Sequence, residues 1–288
     1  MTIYFYAQTD NRTGLDRLRR TVALLKEFSE FDTYLMTTEF RSATYAKRVL
    51  GAKKAVGIED FRNIGTICER GDIIIYDSDE HNPTIHQEMI QYFGKFFRIS
   101  YDPDVLPIEG EFLISPHKVG ERIINGILID RDYFGEFMKE KRVFFYGDSD
   151  YEKKIVSLSK DLKEFELDLL EGFYFFVDIS EKVKYYFKNI YDAEDYPEIL
   201  QSAALFISHS AQSALEAAAT GAKTIYFGQD EAYEQILQRA GVVHIGDFSK
   251  IRLQEAILQN QLPKTDFLRN SSVEKVAKEI KSLIKSNC

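Results

Sequence analysis

The stretch Leu205-Phe-Ile-Ser-His-Ser-Ala-Gln-Ser-Ala-Leu-Glu216 holds a strand, a loop and a helix in one short span. Leu205 to Ser208 is an apolar, strand-favouring run that stops where small hydroxyl residues begin. A helix is predicted from near Gln212, with Ser210 and Ser213 supplying hydroxyls about its start and Glu216 one turn in. Ala217-Ala-Ala-Thr-Gly-Ala222 carries the helix into a turn, and Lys223 to Phe227 is the next strand. Strand, helix and strand in close succession form a crossover unit that returns the second strand parallel to the first. In an open parallel sheet a ligand lies beyond the carboxyl ends of the strands, where helix N-termini present N–H groups without intrahelical partners. The loop Ser208–Ser213 is therefore the first place to expect chemistry.

The same alternation extends along the chain. Strands are predicted at Thr2–Ala7, Asp32–Thr37, Lys53–Val56, Asp72–Tyr76 and Lys95–Ser100, and helices at Leu15–Phe28, Arg41–Leu50, Asp60–Glu69 and Pro83–Phe93. A looser stretch with Pro103, Pro107 and Pro116 follows. Apolar density drops at the charged Met138–Arg142, after which Val143–Tyr146 restarts the pattern, so the chain is divided at residues 1–138 and 139–288. Further strands are expected at Phe173–Val177, Lys188–Tyr191 and Val242–Ile245. Ser271 to Ile284 closes the chain as a helix with Ser271 or Ser272 as N-cap and Val273, Val276, Ile280 and Ile284 on one face, able to pack back on the first lobe. Alternating β and α units imply mainly parallel sheets covered on both faces.

At 288 residues the length suits two lobes, and 44% hydrophobic with 29% charged residues is ordinary globular composition. Lys+Arg at 37 against Asp+Glu at 46 gives a net charge of −9, a surface that repels a phosphate backbone, so nucleic acid is excluded as a partner. Cys68 and Cys288 form neither a disulfide framework nor a metal-ligand spacing. No run approaches the roughly 20 apolar residues of a membrane span, and the N-terminus has no signal-peptide pattern, so a cytoplasmic location is expected.

Four strand-to-helix loops carry suggestive polar residues: Gln8–Arg20, Asp77–His81, Gly147–Asp150 and Ser208–Ser213. Asp77-Ser-Asp-Glu-His81, with His86 beyond, invites a metal reading, but adjacent acids after a strand form a solvated turn and no second ligand group has the spacing, so no metal is expected. His209 sits inside the most informative loop, where it either touches a ligand or serves structure. His117 and His244 carry no motif.

The spacing of Ser208, Ser210, Ser213 and Glu216, followed by Gly221-Ala-Lys223 and Gln229, resembles the nucleotide-sugar loop of GT-B-type proteins. It is most similar to that of the UDP-sugar hydrolase of pseudaminic acid synthesis and its spore-coat polysaccharide relatives, themselves similar to MurG-type glycosyltransferases. Ile73–Asp77, Asn125–Phe134 and Phe144–Asp150 extend the resemblance along nearly the whole chain. Ala211 and Gln212 stand where that family carries glycines for close approach to a diphosphate, and Gly147 stands without its second glycine.

The resemblance implies a GT-B-like α/β fold of two Rossmann-like lobes with an interlobe cleft, the first lobe on the sugar or acceptor side and the second on the nucleotide side. It implies a UDP-sugar or related sugar nucleotide bound through Gly147, Ser208, His209, Ser210, Ser213, Glu216 and Gln229, with Glu216 accepting from a sugar diol. It also implies hydrolysis or glycosyl transfer in bacterial surface-glycan or pseudaminic-type sugar synthesis, with no cofactor.

The first-loop His of that family is absent from Thr13-Gly-Leu-Asp-Arg-Leu-Arg-Arg20, where Asp16 or Arg17 takes its place and Arg19 or Arg20 that of its Arg. Asp16, Arg17 and Arg20 are the expected catalytic set, with Asp16 as general base; Asp16 as N-cap of its own helix and the arginines as a solvated basic face remain the alternatives. The competing function is a non-catalytic relative that binds a nucleotide sugar or serves as an assembly partner. A carboxylate of Asp16 turned towards Glu216 favours the enzyme, and one capping its own helix favours the binding protein. A dinucleotide-dependent enzyme lacks its Gly-x-Gly-x-x-Gly after the first strand.

Overall fold

A computed structural model describes residues 2–80, 82–175 and 177–285; His81 and Cys288, considered above, lie outside them. The chain forms two compact units, one of residues 2–10, 17–131 and 271–285 and the other of residues 11–16 and 132–270.

The first unit runs β1 (Ile3–Ala7), α1 (Asp16–Lys26, its first residue counted with the second unit), β2 (Thr33–Thr37), α2 (Phe40–Arg48), β3 (Ala55–Gly57), β4 (Ile73–Asp77), α3 (Pro83–Tyr92), β5 (Lys95–Ile99), β6 (Glu111–Ser115) and β7 (Ile123–Asn125). Its strands pair in the order β3-β2-β1-β4-β5-β6-β7, every pair parallel. The central strands β1 and β4 are buried on both faces and read as near-continuous apolar runs. Tyr4, Tyr6, Met36, Ile74, Tyr76 and Phe96 form the core on one face, while Phe5 turns to the other and meets Phe28 edge-on at 5.6 Å.

The second unit runs β8 (Lys141–Phe145), α4 (Lys154–Leu162), β9 (Asp168–Leu170), α5 (Val177–Val183), β10 (Ile190–Tyr191), α6 (Tyr196–Ser202), β11 (Ala203–Ser208), α7 (Ala211–Ala219), β12 (Lys223–Tyr226), α8 (Glu231–Ala240), β13 (Val243–His244), α9 (Lys250–Leu258) and α10 (Thr265–Asn270). The final helix, α11 (Val273–Lys285), belongs to the first unit and buries Val273, Val276, Ile280 and Ile284, the face its spacing predicts. The second sheet is also parallel throughout, in the order β10-β9-β8-β11-β12-β13. Its core gathers Phe144, Leu169, Ile207, Ile225 and Phe227. Helix α7 is buried along its whole length, and its alanines let it lie close against β11 and β12.

Each sheet starts at a central strand, builds outward on one side, then crosses to the other. The strand order therefore reverses between β1 and β4 and between β8 and β11, and such reversals open crevices at the carboxyl ends of the strands.

Three readings of local structure change. Phe173–Phe175 is a turn and loop; the backbone N–H groups of Phe173 and Tyr174 bond to Asp148, so they are unavailable to a ladder, and β9 takes the place in the sheet. The helix expected over Asp60–Glu69 is a short 3₁₀ segment, Phe61–Thr66, started by the Asp60 side chain accepting from Arg62 N–H at 2.9 Å. The proline-bearing stretch holds two strands, β6 and β7, that its weak periodicity concealed.

Candidate functional site

In the second unit a cavity of about 500 Å³ lies where β8 and β11 diverge. Three segments line it: Arg12–Gly14 with Asp16, the β8–α4 loop Tyr146–Glu152 with Lys154, and His209–Ser210.

The β11–α7 loop is built by serines. Ser208 Oγ accepts from Ser210 N–H at 2.9 Å, which fixes the exit of the strand. Ser210 is extended and caps α7, its Oγ accepting from Ser213 N–H at 3.0 Å. The same hydroxyl meets both carboxylate oxygens of Asp16, at 2.8 and 2.9 Å, and Ser213 Oγ at 2.8 Å. A hydroxyl has one proton, and a carboxylate is the stronger acceptor, so Ser210 donates to Asp16, with Ser213 Oγ a second acceptor within its reach. Asp16 is thereby held beside the N-terminus of α7, where the helix dipole favours an anion.

The β8–α4 loop is shaped by glycine and aspartate. Gly147 has φ +137°, a value that side-chain-bearing residues rarely adopt. Its carbonyl oxygen lies where a Cβ on Gly172 would fall within 2.2 Å, so the neighbouring loop also requires glycine. Asp150 is buried and accepts from Lys154 N–H at 2.8 Å and Ile155 N–H at 2.9 Å, satisfying two of the first amides of α4.

His209 lies flat on Tyr146, ring centroids 4.9 Å apart at 7°, with Phe227 edge-on at 5.3 Å. Desolvation between these rings, reinforced by the Lys154 ammonium, pushes the imidazole below its ordinary value, so it is neutral at neutral pH. Burial raises the Tyr146 phenol. Lys154 pairs with Glu152 at 2.8 Å, and the Arg12 guanidinium lies 5.4 Å from the Tyr151 ring centre.

Of the residues singled out in the sequence, Asp16, Gly147, His209 and Ser210 line this cavity; Ser208, Ser213, Glu216 and Gln229 do not. Ser208 and Ser213 are fully buried supports. Glu216 is buried beneath α7, accepting from Tyr196 OH at 2.7 Å and Gln212 Nε2 at 2.9 Å, so the helix turn that was to present it to a sugar faces the interior. Gln229 is exposed and donates to Asp247 at 2.8 Å.

Asp16 is aimed at Ser210. Arg17 and Arg20 belong to the first unit: Arg20 grips Asp77 with two bonds, at 2.5 and 2.6 Å, and Arg17 pairs with Asp79. Those pairs absorb two of the acids of the Asp77–Glu80 cluster, and among the described residues no three His, Cys, Asp or Glu side chains converge as a metal site. Arg12, Tyr146 and Asp150 fall in stretches singled out above without being named individually as site residues, and Lys154 was not foreseen. Gly147 marked their loop, and Asp150 four residues before Lys154 is a helix-start pattern that pointed to α4.

No protein-family model matches the chain, and neither does any curated protein. Solved structures do match in fold. UDP-GlcNAc 2-epimerase from Methanocaldococcus jannaschii, in complex with UDP-GlcNAc and UDP, superposes with a TM-score of 0.64 at 11% identity, over 99% of this chain and all (100%) of that one. Spinosyn forosaminyltransferase SpnP gives 0.60 at 12% identity, with 99% of each chain covered. A glycosyltransferase from Rickettsia africae ESF-5 gives 0.54 at 11%, covering 99% of this chain and 93% of that one. Among the described residues no helix is long and apolar enough to cross a membrane. Two parallel sheets, each clothed by helices and matched over nearly their whole length by such enzymes, give this chain a two-lobed α/β fold of the GT-B kind.

Proposed function

We propose that this chain is a cytoplasmic enzyme acting on a UDP-sugar, with the diphosphate seated in the cavity between β8 and β11. The observation that carries this reading is the meeting, in one cavity, of the α7 N-terminus, a carboxylate held by its cap and two cationic side chains. The fold likeness to proteins described as a UDP-GlcNAc 2-epimerase and glycosyltransferases supports a nucleotide-sugar substrate.

In this reading the backbone N–H of Ala211, the first residue of α7, binds a phosphate oxygen, and Lys154 and Arg12 offset the charge of the departing diphosphate. Arg17 and Arg20, committed to Asp79 and Asp77, shape the first unit instead. Asp16 accepts the proton of an attacking water or acceptor hydroxyl while the bond between sugar and UDP breaks and UDP leaves with the electron pair. Water as nucleophile gives hydrolysis and a glycan hydroxyl gives transfer; the loop resemblance favours surface-glycan or pseudaminic-type sugar synthesis. The first unit then serves the acceptor side and the second the nucleotide side, the boundary falling at residue 131 rather than 138 and the last helix returning to the first unit.

A non-catalytic binding protein is the second reading. Its assembly-partner form is favoured by the carboxylates of Asp16, Asp148, Asp150 and Glu152 outnumbering the cations Arg12 and Lys154 along the lining, a field that works against a diphosphate. Calorimetric titration with UDP tests the site: saturable binding, weakened about tenfold in Lys154→Ala, is expected, and no heat at millimolar UDP refutes it. UDP release from a panel of UDP-sugars, abolished in Asp16→Asn, separates the enzyme from the binding protein.

A further inference from the structure

We infer that α9 of the second unit is a self-association surface, on which a second copy of this chain lays its own α9 antiparallel across a two-fold axis. This surface is independent of the nucleotide reading of the cavity between β8 and β11.

Helix α9 is apolar on two sides. Leu253 and Ala256 are buried in the core of the unit, and Ile257 packs against it. At 3.6 residues per turn, the side opposite that core carries Ile251, Glu255 and Leu258. Ile251 is 68% exposed and Leu258 84%, and Leu262, just beyond the helix, is 68% exposed. A helix that only covers a sheet presents polar residues to water, as α8 does with Glu231, Glu234, Gln235 and Gln238. One exposed leucine is ordinary. Two large aliphatic residues seven apart form a ridge along the axis, the spacing at which one helix packs on another.

The flank of the ridge decides what covers it. A groove of about 640 Å³ runs beside α9, lined by its Arg252, Glu255 and Gln259, by Glu234 and Gln238 of α8, and by β13. Strand β13 ends the sheet, so its outer edge pairs with no other strand of the sheet. The side chains of Arg252 and Glu255 make neither an ion pair nor a hydrogen bond among the described residues. Arg252 Nη1 instead lies 3.1 Å from where a Cβ on Gly246 would stand, reaching for the sheet edge rather than for Glu255 one turn on.

Two helices crossed antiparallel on a two-fold axis set each flank against the same flank of the partner. Arg252 then meets the partner's Glu255, and Glu255 the partner's Arg252, while Ile251 and Leu258 meet in the same reciprocal way. The ridge is complementary to itself in shape and in charge, and that self-match selects a second copy over an unlike protein. Each copy carries a net charge of −9, which opposes undirected association, so the attraction comes from this local match.

The test is sedimentation equilibrium of the full chain from about 1 to 200 μM, a range that brackets a micromolar dissociation constant. A reversible monomer–dimer equilibrium is expected. Leu258→Glu, at an exposed position, is expected to keep the circular dichroism and melting temperature of the parent and to weaken the dimer by about tenfold or more. Arg252→Glu or Glu255→Arg alone is expected to weaken it about 3- to 10-fold, and the two together to recover most of that loss, because the exchange preserves the reciprocal pairs. A chain that stays monomeric throughout overturns the inference, as does a dimer that Leu258→Glu leaves intact. Growth beyond a dimer with concentration overturns the two-fold arrangement. A double variant no tighter than the single ones overturns the pairing of Arg252 with Glu255.

Discussion

Replacing Ser210 by alanine removes a single oxygen that serves three partners. As cap of α7 that oxygen satisfies Ser213 N–H, a contribution of about 1 kcal/mol. Its proton holds Asp16, and a hydrogen bond to a half-buried carboxylate contributes about 1.5 kcal/mol more, the lower end for a charged acceptor because Asp16 retains some water. The contact with Ser213 Oγ depends on both and adds nothing separately. Ser210→Ala should therefore destabilise by about 2–2.5 kcal/mol. Asp16→Asn retains the cap and should cost about 1 kcal/mol. The double variant should cost less than the sum, with a coupling near 1 kcal/mol. The chain has no Trp, so denaturant unfolding is followed by far-ultraviolet circular dichroism, with amide exchange along α7 locating the loss. A Ser210→Ala cost below about 0.5 kcal/mol, or additive single variants, would refute the reasoning that one hydroxyl joins the loop of Asp16 to the helix start.

Glu216→Ala leaves the buried Tyr196 hydroxyl and Gln212 amide without their acceptor and should cost about 3 kcal/mol in chemical unfolding, whereas a residue that serves only ligand binding would leave the midpoint unmoved. His209 should titrate below 6.5 in a proton NMR experiment. Because its folded value is depressed, the unfolded chain binds the proton first: stability is complete above the ordinary histidine value and falls as pH drops from there through the folded value, a slope that His209→Phe should remove. Gly172→Ala drives a Cβ against the Gly147 carbonyl and should cost about 2–3 kcal/mol in chemical unfolding while weakening UDP binding, since the cavity loop must shift; unchanged stability would show that the two loops are not in register.

The parallel sheets were legible because strands buried on both faces must be apolar throughout, as in Ile73–Asp77 and Leu205–Ser208, and because helices of matching length separate them. Where that rule weakens, legibility is lost. Strand β9 is only Asp168–Leu170 and is followed by a more aromatic, more strand-like run at Phe173, whose backbone is instead claimed by Asp148. Local propensity ranks these segments one way, and a hydrogen-bond partner far off in sequence ranks them the other.

The same asymmetry governs the site. Spacing placed Ser208 at the end of a strand and Ser210, Ser213 and Glu216 at the start of the helix that follows, and they are there; which side of the helix each faces depends on what covers it. Every residue of α7 is buried, so a polar residue on that helix meets the interior, and Glu216 does so with Tyr196 and Gln212 as partners. Had α7 been amphipathic, the period of its apolar residues would have marked an outward face for Glu216. An alanine-rich helix carries no such mark. What remains open to a ligand is what precedes the helix, His209 and Ser210, together with side chains from two other loops that no single stretch of sequence unites. A site assembled at a reversal of strand order is distributed by construction: the strands that flank it, β8 and β11, are neighbours in the sheet but are separated in the chain by β9 and β10. Each loop alone is unremarkable, and the site exists only where Asp16, Gly147 and Ser210 are brought together.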